Sequence, residues 1–307
     1  MRHGIQGLLN EDYIDLSEHI QTDLDVELLK RTPAAYLGSC RYKLPEIHED
    51  IATYDKIFSI LDKLEIECFI YIGGNDSMDT IKKLSDYAIL RGHPTKFLGV
   101  PKTIDNDLAL TDHTPGYGSA AKYIGTSVKE IIQDSQALIY DKGLVTIVEI
   151  MGRNAGWLVG AAALSKGEDC DGPDLIYVPE LPFDIDNFLV RIKELLAEKT
   201  FVVVAVSEGI RLADGRYVCE LTDGVDFVDA FGHKQLTGTA NYLARRLAQE
   251  IGCKTRTIEL SSMQRAASHL ASRIDILEAF QVGGAAVKAA DEGDTGEMVI
   301  IKRLSDD

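Results

Sequence analysis

The segment Pro101-Lys102-Thr103-Ile104-Asp105-Asn106-Asp107 brings a lysine, a hydroxyl, a carboxamide and two carboxylates into one short turn. Residues 96–100 before it have the character of a strand, and Pro101, which cannot donate to a sheet ladder, favours ending that strand. At the carboxyl end of a strand, one carboxylate can accept a proton from a hydroxyl while the other helps to hold Mg²⁺ among phosphate oxygens. Lys102 supplies a positive charge for such phosphates. The pattern indicates phosphoryl transfer, and the alternative is a solvated Asp/Asn turn.

A second loop lies about thirty residues upstream, where the apolar residues 66–72 end at Gly73-Gly74-Asn75-Asp76-Ser77. A helix is predicted to follow, because apolar residues recur there at three- and four-residue spacing, and Asp76 or Ser77 is the expected N-cap. Paired glycines before a helix let backbone N–H groups approach an anion, and the helix dipole favours negative charge. Alone, such a glycine turn is equally compatible with a plain connector.

Strand-like and helical segments alternate along the rest of the chain, which predicts parallel sheets covered by helices on both faces. Arg153 and Glu208 each follow an apolar strand, residues 144–150 and 201–206, at the end where open α/β sheets place ligands. Arg256 lies in a segment that alternates like a strand. A further strand is predicted at residues 174–178, and helices at residues 122–138, 154–165, 185–199, 235–251 and 274–290.

Together these motifs resemble the phosphofructokinase family, which carries a Gly-Gly-Asp-x-Ser loop and a Thr-Ile-Asp-x-Asp loop at about this separation. Three further motifs match in the same order: Leu37-Gly38-Ser39-Cys40-Arg41-Tyr42, Met151-Gly152-Arg153-Asn154-Ala155-Gly156-Trp157 and Ser207-Glu208-Gly209. Arg256 and Arg265 occupy the places of two arginines that grip the sugar phosphate in the family. The resemblance extends from about Arg2 over nearly the whole chain.

The resemblance implies an α/β fold of two domains, each with a mainly parallel sheet flanked by helices. Residues 1–117 plus 266–307 would form the phosphoryl-donor domain and residues 118–265 the sugar-phosphate domain, with the site in the cleft between them. The family's first strand with its Gly-Gly-Asp-x-x-Gly loop, and its final helices, have no match here, so we expect them to be missing. That departure leaves open whether this chain is active by itself.

The activity implied is attack by the 1-hydroxyl of fructose 6-phosphate on pyrophosphate, in the presence of Mg²⁺, with the reaction running in both directions. Asp105 would be the general base, with Lys102 and Asp107 as the other catalytic residues. The expected donor-binding residues are Arg41, Gly74, Asp76, Ser77 and Lys102. The expected sugar-phosphate residues are Thr103, Met151, Gly152, Arg153, Glu208, Arg256 and Arg265. The expected metal ligands are Asn75 and Asp107.

Two positions favour the pyrophosphate-dependent branch of the family. ATP-dependent relatives usually hold glycine at the places of Asp76 and Lys102, leaving room for the α-phosphate and ribose of the nucleotide. The Asp76 carboxylate would also repel the α-phosphate. Asn75 departs from the family, since many relatives have a metal-binding aspartate there. Two alternatives remain: an ATP-dependent 6-phosphofructokinase, and a non-catalytic paralogue that binds sugar phosphate, which Asn75 and the unmatched first loop favour.

Composition agrees with a cytoplasmic enzyme. At 307 residues and 45% hydrophobic, the chain is expected to form about two domains. The net charge of −17 argues against nucleic-acid partners, and no apolar stretch is long enough to predict a membrane span. Five cysteines without a C-x-x-C pair indicate a reducing compartment and no zinc site. No G-x-G-x-x-G follows a strand, which disfavours a nicotinamide dehydrogenase. By resemblance to the family, a homo-oligomer, dimer or tetramer, is expected.

Overall fold

The computed structural model describes residues 1–138, 141–221 and 238–305, and these residues form two parallel β-sheets covered by helices. The strands are β1 (Cys68–Gly73), β2 (Lys96–Pro101), β3 (Leu144–Ile150), β4 (Leu175–Tyr177), β5 (Phe201–Ser207), β6 (Lys254–Glu259) and β7 (Glu297–Met298). The first sheet has the order β1-β2-β7 and the second the order β4-β5-β3-β6. Every paired strand runs parallel to its neighbour.

Ten α-helices accompany these strands in the described part of the chain. They are α1 (Gly4–Leu9), α2 (Asp23–Lys30), α3 (Ile51–Lys63), α4 (Asn75–Arg91), α5 (Tyr117–Gln136), α6 (Trp157–Gly160), α7 (Ile185–Glu198), α8 (Thr239–Glu250), α9 (Met263–Ala266) and α10 (Arg273–Glu292). Short 3₁₀ helices lie at Leu16–Glu18, Ala161–Ser165, Val218–Leu221 and Ser268–Leu270. No helix in the described ranges is long and apolar enough to cross a membrane.

In the first sheet, β1 and β2 pair in register from Cys68 with Lys96 to Gly73 with Pro101. Both strands therefore end at the same edge, and the loops that follow them begin side by side. An aromatic core that includes Phe58, Phe69 and Phe97 covers one face of this sheet. Helix α10 covers the other face through Val282 and Ala286, which pack against Val100.

The second sheet is built around β3, whose seven residues are all buried. Alternate residues of β3 enter two different cores, as the period of a strand requires. Val148 and Ile150 pack with Ile124 and Val128 of α5, whereas Ile147 packs on the opposite face. The partners of Ile147 come from α7 and α8 and include Phe188 and Leu243. At the carboxyl edge, Ile150 of β3 lies beside Ser207 of β5.

The predicted strands are confirmed within one or two residues at their ends. Helix α5 begins at Tyr117 rather than 122, because Asp275 of α10 accepts hydrogen bonds from the backbone N–H groups of Gly116 and Ser119. The helix predicted from residue 154 was wrong at its start, since residues 154–156 belong to a loop and α6 passes into a 3₁₀ helix after Gly160. Of the helix predicted at 235–251, residues 235–237 lie outside the described residues.

Candidate active site

The loop after β1 turns directly into helix α4. Gly74 is the N-cap residue, so the prediction of Asp76 or Ser77 as N-cap was wrong: both lie inside the first turn. At Gly73, the residue before the N-cap, a Cβ would lie 1.9 Å from Oγ of Ser77, so this position has no room for a side chain. Helix α4 therefore begins directly after the strand, and the helix dipole at its amino end favours negative charge.

The loop after β2 lies against this helix end. The backbone N–H of Lys102 donates to the carbonyl of Gly73 at 3.0 Å. The Lys102 ammonium lies 3.7 Å from the position that a Cβ on Gly74 would occupy. At the far end of the loop, Asn75 Nδ2 donates to Asp107 Oδ2 at 3.2 Å. The structure therefore brings the lysine, the glycine turn and one of the two aspartates together.

The shape of the 102–107 loop depends on a left-handed residue. Asn106 has φ of 54°, a conformation that asparagine tolerates better than most side chains. Its Oδ1 accepts the backbone N–H of Thr114 at 2.9 Å, while Thr114 Oγ1 donates to the carbonyl of Thr103 at 2.5 Å. Thr103 Oγ1 lies 3.2 Å from Asp105 Oδ2. Sequence reasoning had missed Asn106, whose signal was an asparagine between two aspartates in a turn.

The side chains of Asn75 and Asp107 lie in contact and carry oxygen atoms of the kind that bind a divalent cation. Burial of the Asp107 carboxyl group and the charge of Asp105 raise the pKa of Asp107, while Lys102 and Asn75 act in the opposite direction. In the described part of the chain, no cluster of three His, Cys, Asp or Glu residues could hold a metal. Mg²⁺ is commonly held by one or two carboxylates together with substrate phosphates. The residues present therefore fit a Mg²⁺ ion shared with a phosphate ligand.

The loops after β3 and β5 interlock at the edge of the second sheet. Gly152 has φ of 129°, and a Cβ there would lie 2.6 Å from the carbonyl of Ala155. Ser207 Oγ donates to the carbonyl of Gly152 at 2.6 Å and accepts the N–H of Gly209 at 3.0 Å. A Cβ on Gly209 would lie 2.1 Å from the carbonyl of Arg153. The glycines of both motifs are thus required by close backbone contact.

Glu208 lies where these loops meet charged groups from other elements. Its Oε1 accepts the backbone N–H of Gly152 at 3.4 Å. Burial raises the pKa of Glu208 to about 7, and the charge of Asp105 adds to that effect, whereas Arg153 and Arg265 oppose it. Asp105, Arg153 and Arg265 therefore act on the same carboxyl group, although they come from different loops.

Helix α9 is attached to the Met151 loop by a residue that sequence reasoning had missed. Gln264, which is buried, accepts the N–H of Met151 at 3.1 Å and donates to the carbonyl of Ser261 at 3.0 Å. Its neighbour Arg265 is carried by the same short helix. The available signal was a polar residue directly before the predicted arginine.

Two of the predicted arginines, Arg256 and Arg41, are not among these side chains. Arg256 pairs with Thr146 in mid-strand and forms an ion pair with Asp134 near the carboxyl end of α5, with Nη1 and Oδ2 2.9 Å apart. Arg41 lies in the segment between α2 and α3. The preceding residue, Cys40, forms a hydrogen bond with the Tyr71 hydroxyl, so this segment lies along β1. The roles of both arginines stay predictions.

The geometry joins an aspartate and a lysine at a helix amino end to a glutamate and two arginines at the edge of a second sheet. Such a set supplies a proton acceptor together with several positive charges. It suits transfer of an anionic group to a hydroxyl.

Comparison with known proteins agrees with this chemistry. Residues 1–290 match the family "Phosphofructokinase". A Xanthomonas campestris protein named pyrophosphate--fructose 6-phosphate 1-phosphotransferase is 42% identical over 305 residues, covering 99% of this chain and 72% of that protein. A protein of the same name from Halomonas elongata is 40% identical, covering 99% of this chain and 71% of that protein. A crystal structure of a pyrophosphate-dependent phosphofructokinase from Nitrosospira multiformis superposes with a TM-score of 0.85 at 33% identity, covering 99% of this chain and 70% of that one. The chain belongs to the phosphofructokinase family.

Proposed function

We propose that this protein transfers a phosphoryl group from pyrophosphate to the 1-hydroxyl of fructose 6-phosphate, giving fructose 1,6-bisphosphate. The observation that carries the proposal is the position of Lys102, whose ammonium lies over Gly74 at the amino end of α4. A cation at this place pairs with a terminal phosphate, and the helix end adds favourable dipole. The reaction runs in both directions, since the pyrophosphate anhydride is a modest donor.

Donor choice rests on Asp76 and Lys102. Asp76 lies in the first turn of α4 and Lys102 lies beside Gly74, so both side chains occupy the donor loop. A nucleotide would need that space for its α-phosphate and ribose, and the Asp76 carboxylate would repel the α-phosphate. Pyrophosphate does not need the space that a nucleotide's α-phosphate and ribose would fill. Ser77 and Gly74 complete the loop that binds it.

Asp105 acts as general base in the forward direction and takes the proton from the 1-hydroxyl of the sugar. Its loop is held by Thr103 and Asn106, so the carboxylate is oriented before substrate binds. Arg41, Lys102 and Arg153 offset the charge that develops on the transferred group. Most of the rate enhancement then comes from positioning and electrostatics.

The sugar phosphate is held at the edge of the second sheet. Glu208, beside Gly152 and within the field of Arg153 and Arg265, accepts hydrogen bonds from sugar hydroxyls. The arginines neutralise the 6-phosphate, for which a planar guanidinium is well suited. Thr103, Met151 and Arg256 complete the proposed binding set.

Asn75 and Asp107 would hold Mg²⁺, which supplies charge neutralisation and alignment of the phosphate oxygens. Their side chains lie together, with Asn75 Nδ2 donating to Asp107 Oδ2 at 3.2 Å. Asn75 contributes a neutral ligand where a carboxylate would give a charged one, so Asp107 is the main ligand.

The proposal also covers the domain boundaries, the cellular location and the oligomeric state. The donor domain comprises residues 1–117 and 266–307, which is supported by β7 joining β2 and by α10 covering the first sheet. Residues 118–265 form the sugar-phosphate domain. All five cysteines are unpaired, which supports a reducing cytoplasmic location. A dimer or tetramer is proposed by analogy with the family.

The test is formation of fructose 1,6-bisphosphate from fructose 6-phosphate, pyrophosphate and Mg²⁺, with the reverse reaction measured from inorganic phosphate. Turnover in both directions supports the proposal. Binding of fructose 6-phosphate, measured by calorimetry, without turnover on any donor would instead identify a non-catalytic sugar-phosphate-binding protein.

A further inference from the structure

Glu149 is a buried carboxyl group that the proposed mechanism does not use. It is the penultimate residue of β3 and its side chain is 5% exposed. It lies between Val206 of β5 and Glu259 of β6 in the sheet. A carboxylate at such a position needs hydrogen-bond donors, because burial without partners strongly disfavours the charged form.

The donors come from the amino end of α8. Ala240 donates its backbone N–H to Glu149 Oε2 at 2.7 Å. The neighbouring Thr239, also buried, directs its hydroxyl to the carbonyl of Glu208 at 3.3 Å. Asn241 Nδ2 donates to Glu259 Oε1 at 3.0 Å. Hydrogen bonds thus connect the first turn of α8 to the carboxyl ends of three adjacent strands. Of these three hydrogen bonds, only the one from Ala240 to Glu149 is made to a buried carboxyl group.

The acidic groups facing Glu149 come from each element packed against it. They are Glu208 after β5 and Glu259 on β6, and the Cys219 thiol on the short helix 218–221 also interacts with Glu149. The backbone N–H groups of α8 oppose these like charges. Glu208 in turn faces Asp105, Arg153 and Arg265. Glu149 and Glu208 therefore lie close enough for their like charges to interact.

We propose that Glu149 is a positioning residue for sugar-phosphate binding, holding the amino end of α8 so that Thr239 fixes the backbone of Glu208. The inference rests on the proposed function, because it assigns the effect to the substrate that Glu208 binds. Glu149 touches no substrate. It acts through the α8 contact with the Glu208 carbonyl and through its negative charge, which disfavours ionisation of Glu208.

Three variants separate this role from a general contribution to folding. Glu149→Gln keeps an oxygen acceptor for Ala240 and removes the charge, whereas Glu149→Leu removes both. Glu250→Gln is the control, because Glu250 is an exposed glutamate at the other end of α8, paired with Arg246. For each variant, the dissociation constant of fructose 6-phosphate is measured by calorimetry from pH 5.5 to 8.5, together with KM for both substrates.

For Glu149→Leu we expect weaker fructose 6-phosphate binding by about 10- to 100-fold with an unchanged KM for pyrophosphate, because small displacements of a binding group have effects of that size. For Glu149→Gln we expect affinity near the wild-type value at high pH. The pH at which affinity is half lost should fall by about 0.5 or more, since Glu208 loses a like-charged neighbour. Glu250→Gln should match the wild type in both respects.

An unchanged pH midpoint in Glu149→Gln would overturn the inference, even if Glu149→Leu failed to fold. So would a Glu149→Leu variant in which KM rises equally for both substrates. If the wild type binds fructose 6-phosphate but turns over no donor, the proposed activity fails while the calorimetric comparison still decides the role of Glu149. If the wild type binds no fructose 6-phosphate, both fail together.

Discussion

At the scale of single residues, the two aspartates of the 102–107 loop are separated by their surroundings. Asp107 is bonded to Asn75, beside the glycine turn of the donor loop. Asp105 is bonded to Thr103 and acts electrostatically on Glu208, at the edge of the second sheet. Asp107 therefore lies at the proposed donor loop, and Asp105 lies near the proposed sugar-phosphate site. This division supports different roles for two residues of the same type.

Replacing Asp105 by asparagine should lower kcat by about 10²- to 10⁴-fold, the usual contribution of a general base. KM for fructose 6-phosphate should change much less, because the amide keeps the size of the side chain. The measurement is steady-state kinetics in the forward direction, with Asp86→Asn on the exposed face of α4 as the control. A variant that keeps kcat within a few fold would exclude Asp105 as the base.

Replacing Lys102 by alanine should raise KM for pyrophosphate and lower kcat, together about 10²-fold in kcat/KM, because a charge-assisted contact to phosphate is lost. Binding of fructose 6-phosphate should be unaffected. Lys82→Ala removes a lysine of α4 that pairs with Asp86 at the surface, and it is the control for charge. Equal loss of affinity for both substrates would contradict a donor-specific role for Lys102.

Sequence reasoning located residues that stand in recognisable motifs and missed those that support them. Lys102, Asp105 and Glu208 follow apolar strands, which is a signal that periodicity provides. Glu149 and Gln264 are single polar residues whose partners lie 91 and 113 positions away in the chain. No local pattern reveals such a partner. The role of a buried carboxyl or amide group was therefore available only from the structure.

At the scale of elements, helix α10 binds the segment that leads from the 102–107 loop into α5. Asp275, which is buried, accepts the N–H of Gly116 at 2.7 Å, the N–H of Ser119 at 3.1 Å and the hydroxyl of Ser119 at 2.5 Å. One turn later, Glu278 lies 2.7 Å from Nε2 of His113. A carboxylate from one helix thus caps another, which explains why α5 begins earlier than its own sequence predicts.

Replacing Asp275 by alanine should lower the free energy of unfolding by about 2 to 4 kcal/mol, because three donors at the start of α5 lose their common acceptor. Urea unfolding followed by circular dichroism measures this change. Asp275→Asn, which keeps one acceptor oxygen, should lose less. Asp291→Asn near the carboxyl end of the same helix is the control, and a loss as large in that variant would refute the assignment.

The elements themselves were largely predictable, and their ends were not. The strands of both sheets follow from apolar segments that stop at glycine, proline or charged residues. The starts of α5 and α6 were misplaced because each depends on an acceptor from a distant part of the chain: Asp275 for the N–H of Gly116, and Glu180 for the N–H of Gly156. The start of α4 was misplaced by two or three residues within its own turn, where Gly74 is the N-cap. Helix caps supplied from another part of the chain leave no local signal.

At the scale of the whole molecule, two carboxyl groups with raised pKa values make stability depend on pH. Burial raises the pKa of Glu149 and of Glu208 to about 7 from ordinary values near 4.5. A carboxyl whose pKa is raised on folding binds more protons in the folded state than in the unfolded one. Its contribution is therefore fully present below about pH 4.5 and is lost as the pH rises through about 7.

Replacing Glu149 by glutamine should remove the loss of stability that ionisation of this carboxyl group causes at higher pH. Relative to the wild type, the free energy of unfolding of this variant should increase as the pH rises from about 4.5 to about 7, by up to about 3 kcal/mol. Urea unfolding at several pH values measures the difference, and Glu250→Gln, at the other end of α8, controls for loss of an exposed charge. A difference that does not vary with pH would contradict the account.

The most direct test of the central claim compares kcat/KM for pyrophosphate and for ATP, with fructose 6-phosphate and Mg²⁺ held constant, in the wild type and in the double variant with Asp76→Gly and Lys102→Gly. The account predicts turnover with pyrophosphate and little with ATP in the wild type, and a shift of preference towards ATP of about 10²-fold or more in the double variant. Turnover of the wild type with ATP and not with pyrophosphate would contradict the proposed function and the role of both residues.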